Sequence, residues 1–251
     1  MALRVALVGY GRMGRQVEAL APRFGVDVRD RLTSADNADG SGVTRERLAG
    51  IDVVIDFSVP DAVARNVEAY CETGVAAVVG VTGWDAERER LLTLAEEAGI
   101  GLVHGSNFSI GANAFFGVVA EATRVMTACE ELYDLAAFET HHRRKLDVPS
   151  GTALRLAETV RATGWPREVQ IASARLGHVP GTHELTWDSE VDTITCRHTA
   201  RSRAGFAEGA VRAALWIRGR GGVYDFKERW REIAAHRTDP ISPFTNHRAT
   251  D

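Results

Sequence analysis

Leu3-Arg4-Val5-Ala6-Leu7-Val8-Gly9-Tyr10-Gly11-Arg12-Met13-Gly14 is a short apolar run that breaks into three glycines spaced Gly-x-Gly-x-x-Gly. A helical pattern follows from Arg15 to Arg23. In such a turn the glycines permit a tight bend, close approach of a pyrophosphate, and packing of helix on strand. The helix start supplies amide donors and a positive dipole end. The motif alone is a weak signal. Here it sits between a strand and a helix at the head of a βα alternation, which favours a dinucleotide site over a merely structural turn.

Working outward, Val26 to Leu32 reads as a second strand, and Ile51 to Phe57 has the near-continuous apolar character of a buried parallel strand. Asp61 to Thr73 reads as a helix stopped by Gly74. Ala76 to Gly80 is a strand, Thr82 to Asp85 opens a further helix, and Gly101 to His104 is a fifth strand. This order predicts an α/β fold with a doubly wound parallel sheet, whose ligands gather at the carboxyl ends of the strands. The candidate cofactor residues are therefore Gly9, Tyr10, Gly11, Arg12, Met13 and Gly14, then Phe57, then Gly80, Val81 and Thr82, then Gly105, Ser106, Asn107 and Phe108. Any one of these turns could be ordinary βα-loop chemistry. Three on the same edge beside the glycine-rich turn point to a cofactor. Arg15 is as well explained by a solvated helix face as by a phosphate contact. The residue facing the adenine ribose stays open. Asp30 stands near the usual spacing, but if the second strand runs to Leu32 its tip is Thr33 and Ser34.

After Asn107 the pattern changes. Asn113 to Cys129 is one long amphipathic helix, Tyr133 to Glu139 a strand, and Leu154 to Thr163 a helix. Glu168 to Ala174, Glu184 to Asp188 and Asp192 to His198 are strand-like runs with no helix between them, which predicts an α+β domain with a more antiparallel sheet. Phe206 to Arg218 and Tyr224 to Ile233 read as helices, and the tail after Thr238 as loose. The formal charge of -4 gives no reason to expect nucleic acid or an anionic membrane as partner. No apolar run is long enough to span a bilayer, and no signal peptide is evident. Three scattered cysteines fit a reducing cytoplasm better than disulfides or zinc.

The densest chemistry lies in Glu139-Thr-His141-His142-Arg-Arg-Lys145-Leu-Asp147-Val-Pro149-Ser150-Gly151-Thr152-Ala153. The chain holds 30 Lys plus Arg but only two lysines, Lys145 and Lys227. A lysine directly after Arg143 and Arg144 suggests work arginine cannot do, because only lysine gives up a proton when its environment is tuned. Adjacent histidines on a strand point to opposite faces, so they chelate a metal poorly, and no metal is expected. Arg143 and Arg144 read as a solvated face or phosphate contacts. Pro149 to Thr152 could be only a helix cap, but it also makes an anion site from the Gly151 and Thr152 amides and the Thr152 hydroxyl. Hydride carrier, carboxylate pocket and proton donor are together the parts of a reductase.

This central run resembles the signature of the dihydrodipicolinate reductase family. The Gly80 to Gly83 turn, Ser106 to Gly111, Pro180-Gly181-Thr182-His183, and His198 to Ala210 resemble the same family in the same order. The glycine-rich turn is one residue shorter than in many members, and Val81 stands where a threonine is common. The resemblance implies an N-terminal Rossmann-type domain of residues 1–108 completed by 219–251, with a substrate and oligomerisation domain inserted at 109–218. It implies reduction of 4-hydroxy-tetrahydrodipicolinate, a small dicarboxylate, by NADPH or NADH in a cytoplasmic homotetramer of lysine and diaminopimelate biosynthesis. It further implies His141 and Lys145 as catalytic proton carriers and His142, Gly151 and Thr152 as substrate ligands. Two rivals stand beside it: another nicotinamide-dependent amino-acid dehydrogenase of the same domain order, and a dinucleotide-sensing module without catalysis.

Overall fold

In the computed structural model, which describes residues 1–236, β1 (Leu3–Val8) divides its side chains between two cores. Leu3, Val5 and Leu7 enter one and Ala6 and Val8 the other, because successive residues of a strand face opposite sides. The chain continues through α1 (Arg12–Leu20), β2 (Val26–Leu32), α2 (Arg45–Leu48), β3 (Val53–Asp56), α3 (Pro60–Thr73), β4 (Ala76–Val79), α4 (Asp85–Glu97) and β5 (Gly101–His104). As expected, α3 ends at Gly74, whose φ of 71° is the left-handed turn glycine adopts most cheaply.

The second unit follows with α5 (Ile110–Met126), β6 (Asp134–His141), α6 (Gly151–Ala162), β7 (Gln170–Arg175), β8 (Thr182–Asp188) and β9 (Thr193–Thr199). Then α7 (Ala204–Ile217), β10 (Gly222–Asp225) and α8 (Phe226–Ala235) return to the first unit. The first sheet has the order β10-β5-β4-β3-β1-β2, with every adjacent pair parallel.

The structure corrects two expectations here. β10 is a sixth strand absent from the sequence reading, which ran a helix from Tyr224. Its four residues are all half-buried and lead straight into α8, so it carries no apolar run of its own. The boundary of the insert also moves. The compact units divide at Ile110/Gly111 and Arg203/Ala204, not at 108/109 and 218/219. Helix α7 belongs with the first unit, because Ala207, Ala210, Val211, Ala213, Ala214 and Ile217 are buried in the core shared by β1 and α1. Its approach is so close that a Cβ on Gly209 would stand 1.7 Å from the Phe108 carbonyl oxygen. The tail after Thr238 lies outside the described residues.

The second unit, Gly111–Arg203, carries a mixed sheet of order β7-β6-β8-β9. β6 pairs antiparallel with β8 and β8 with β9, while β7 returns through α6 to lie parallel to β6. One face is closed by Phe115, Phe116, Val119 and Met126 of α5 and by Leu156 and Val160 of α6, packed on Leu135, Ala137, Leu185 and Trp187. Side chains of this kind contribute about 1.5–3 kcal/mol each when fully buried. The opposite face, with Phe138, Ala172 and Thr195, is exposed in the single chain.

Candidate active site

The strand ends of the first unit are joined by backbone proximity. A Cβ on Gly9, whose φ is 84°, would fall 2.4 Å from the carbonyl of Phe57 and the amide of Ser58. A Cβ on Gly80 would fall 2.1 Å from the Phe57 ring. Phe57 in turn meets Phe108 edge-on at 6.1 Å. So the turns after β1, β3, β4 and β5 form one row. Gly14 lets α1 pass close to the turn, since its Cβ would meet the Gly9 carbonyl oxygen at 2.9 Å. Gly11 has open space where its Cβ would be, and α1 has no side-chain cap and no acidic residue in its first turn. A bare, uncapped helix start beside a glycine turn fits a pyrophosphate. Thr82 and Ser106 are exposed, whereas Val81 and Phe108 are buried in the core. The latter two offer a cofactor backbone and not side chain.

β2 does extend to Leu32, which puts Thr33 and Ser34 at its tip. Asp30 lies back along the strand and is occupied. It accepts from Arg47 Nε at 2.7 Å and Nη2 at 3.0 Å, and the Arg47 bonds hold its carboxyl below the usual range. Arg31 is paired with Glu18, which also accepts from the Tyr10 hydroxyl. Asp36 accepts from the Thr33 amide and hydroxyl at 2.8 and 2.7 Å. A buried chain of hydrogen bonds ties the following loop to the sheet: Asn37 donates to Asn66, and Asn66 and Tyr70 donate to the buried Asp56 at the end of β3.

The second unit holds a different kind of site. Leu135, Ala137, Glu139 and His141 alternate onto the buried face of β6. The parallel register sets Ser173 beside Glu139 and Arg175 beside His141, and the antiparallel register sets His183 opposite Glu139. Glu139 is 2% exposed. Its Oε1 accepts from the Ser150 amide at 3.0 Å, the Ser173 hydroxyl at 2.7 Å and Arg175 Nη2 at 3.1 Å. Burial pushes this carboxyl up, but the donors from Ser150, Ser173 and Arg175 outweigh it and hold it at about 2. Its Oε2 lies 3.2 Å from His141 Nδ1 and 3.8 Å from His183 Nε2. Burial lowers both imidazoles, His183 to about 4, against the opposing pull of the Glu139 carboxylate. A Cβ on Gly181 would stand 3.1 Å from His141 Nε2, so this glycine leaves room over the second ring nitrogen.

Ser150 caps α6, accepting from the Ala153 amide at 3.2 Å, and its hydroxyl lies 3.2 Å from His183 Nε2. Gly151 and Thr152 are thus the first residues of α6, Gly151 exposed and Thr152 half-buried. Lys145 Nζ donates to Asp147 at 2.8 Å, and the Lys145 amide donates to the His142 carbonyl at 3.0 Å. His142 is half-buried, its Nδ1 without a hydrogen-bond partner. Arg143 and Arg144 are exposed.

The candidates His141, His142, Lys145, Gly151 and Thr152 therefore share one stretch of the second unit. Arg175 and Ser173 carry no local signal and were missed. His183 stood in a quoted motif without a role and Glu139 only as a metal co-ligand of the adjacent histidines that was set aside, although an acidic residue on the buried face of a period-two strand already demands partners. Glu139, His141 and His183 each offer a donor atom within 4.8 Å of the others, a spacing a divalent ion could bridge. The Arg175 guanidinium on the same carboxylate already supplies positive charge.

Comparison with known proteins bears on both units. Residues 3–108 match the family described as dihydrodipicolinate reductase, N-terminus, and residues 111–229 match dihydrodipicolinate reductase, C-terminus. The chain is 34% identical over 238 residues to the 4-hydroxy-tetrahydrodipicolinate reductase of Christiangramia forsetii, covering 90% of this chain and 97% of that one. It is 34% identical over 267 residues to the same enzyme of Thiobacillus denitrificans, covering 91% and 98%. The solved dipicolinate-bound dihydrodipicolinate reductase of Paenisporosarcina sp. TG-14 shares the fold, with a TM-score of 0.72 at 24% identity over 91% of this chain and 99% of that one.

Proposed function

This chain belongs to the dihydrodipicolinate reductase family, and we propose that the Glu139–Ala153 run of its second unit performs that family's chemistry. The reaction is the NADPH- or NADH-dependent reduction of 4-hydroxy-tetrahydrodipicolinate to tetrahydrodipicolinate, a step of lysine and diaminopimelate biosynthesis. The observation that carries the assignment of roles is the folding of this run. It places a carboxylate-backed imidazole, a lysine side chain and the first amides of the Ser150-capped helix α6 in one short stretch.

The conversion expels one water and takes up a hydride and a proton. The bound nicotinamide supplies the hydride; the turns from Gly9 to Gly14 and after β3, β4 and β5 are the residues that would hold it. The amides of Gly151 and Thr152, with the Thr152 hydroxyl, receive a substrate carboxylate, and His142 contacts the substrate. Lys145 delivers a proton from Nζ, and Asp147, which accepts from Nζ at 2.8 Å, holds it in place between turnovers. His141 exchanges a proton at Nε2, since Nδ1 faces Glu139. NADPH is the preferred cofactor and NADH is also used: Thr33 and Ser34 stand at the tip of β2, and Arg47 neutralises Asp30.

The exposed Phe138 face of the second sheet supports assembly with further copies of the chain into a tetramer. Light scattering that finds a monomer at micromolar concentration would count against it. The cytoplasm suits the three free cysteines. Among the described residues, no helix is long and apolar enough to cross a membrane. The direct test is a coupled assay. The condensation product of pyruvate and aspartate semialdehyde is supplied, and loss of NADPH or NADH is followed. Oxidation that depends on this product is expected; cofactor binding without turnover would leave only a sensing module.

A further inference from the structure

The carboxylate of Glu139 serves two parts of the site at once. Oε2 lies 3.2 Å from His141 Nδ1, and both atoms are buried with no aligned hydrogen bond to each other or to any other group among the described residues. Oε1 holds the amide of Ser150, the cap of the helix whose first amides form the anion site. Arg175 extends the connection. The same Nη2 that meets Glu139 also donates to the Asp147 carbonyl, and Nε donates to the Lys145 carbonyl at 3.3 Å. One guanidinium thus grips the backbone on both sides of the Lys145–Asp147 pair.

We propose that the ion pair between buried Glu139 and half-buried Arg175 is the positioning element of this site, registering the His141 imidazole, the Lys145 ammonium and the Gly151–Thr152 amides against one another. The inference rests on the roles assigned to His141, Lys145 and α6 above. Neither Glu139 nor Arg175 needs to touch the substrate. A buried ion pair adds little stability over apolar packing of equal volume, so what it supplies is direction. A carboxylate only accepts, so closing this 3.2 Å gap to a hydrogen bond places the His141 proton on Nδ1 and leaves the Nε2 lone pair facing the space beside Gly181.

Glu139→Gln tests this with almost no change of shape. The three donors on Oε1 require an acceptor, so the Gln oxygen stays with them. Its NH2 then faces His141 Nδ1 and forces the opposite tautomer. The expected result is a fall in kcat of about 10²-fold, a displaced kcat–pH profile, and NADPH binding by fluorescence within about twofold of wild type. Arg175→Lys keeps the charge but cannot reach the carboxylate and both carbonyls together. It should lower kcat and raise the substrate KM, each by about tenfold. A role in packing alone would lower the melting temperature and leave the pH profile where it is.

The inference is overturned if Glu139→Gln keeps kcat within about threefold and an unmoved profile. If that variant does not fold, wild-type kcat and KM in Arg175→Lys overturn it. Lys145→Arg, run alongside, separates the two levels. If it is inactive while the pair variants are normal, only the positioning role fails. If it turns over normally, the assigned roles fall and the inference with them.

Discussion

The two units build their sites from opposite materials. The candidate site of the first is built largely from backbone: missing side chains at Gly9, Gly14 and Gly80 let its turns close on one another, and Gly11 leaves open space beside them. The second makes its site from ionisable side chains packed where water is scarce, with Glu139, His141 and His183 all nearly buried. A backbone cradle tolerates most changes around it and fails when a Cβ is added. A side-chain cluster tolerates small losses of space and fails when a proton or a hydrogen-bond direction is changed.

The sharpest way to break the contrast is Lys145→Arg. Charge and length are nearly kept, so a site that needed only a cation would survive. We expect kcat to fall by about 10²- to 10⁴-fold, the range for loss of a general acid. Steady-state kinetics at saturating substrate and cofactor decides, and near-normal turnover would remove Lys145 as proton donor.

Next in size is a pair of alanine substitutions in the glycine turn. Gly9→Ala meets the backbone of Phe57 and Ser58 just after β3 and a φ of 84°, so it should destabilise the protein by about 2–5 kcal/mol. Gly11→Ala meets nothing in the protein. It should leave the melting temperature unchanged and raise the cofactor KM by about tenfold, about 1.4 kcal/mol, because the added methyl would enter the space proposed for the pyrophosphate. Thermal melts and cofactor titrations on both variants check this. Equal behaviour of the two would erase the distinction between a fold glycine and a ligand glycine.

The smallest effect concerns acid. His183 is lowered by burial to about 4 from 6.5, so the unfolded chain binds more protons between those values. Stability is then full above pH 6.5 and is lost as pH falls towards 4, by up to about 3 kcal/mol. Glu139, held at about 2 against an ordinary 4.5, adds a further loss only below pH 4.5. His183→Gln should flatten the fall in melting temperature between pH 6.5 and 4. An unchanged slope would assign that acid loss to other groups.

What was legible in the chain was what depends on near neighbours. The turn from Gly9 to Gly14, the stop at Gly74 and the cap at Ser150 are written in residues a few positions apart, because dihedral preference and capping are local. The run from Glu139 to Ala153 was read the same way, while the end of β2, left open between Asp30 and Leu32, was decided by its pairing with β1. Tertiary structure alone decided the rest. Ser173 and Arg175 come beside Glu139 and His141 only through the β6–β7 register, and His183 only through β6–β8. Pairing between strands far apart in sequence has no local signature. Helix α7 joined the first unit because its small residues let it press against the chain at Phe108, a matter of fit between surfaces that periodicity does not encode. Edge strand β10 needed β5 to exist before its four residues could pair. The candidate site residues were thus local and readable, while Ser173, Arg175 and His183 come beside them only through the fold.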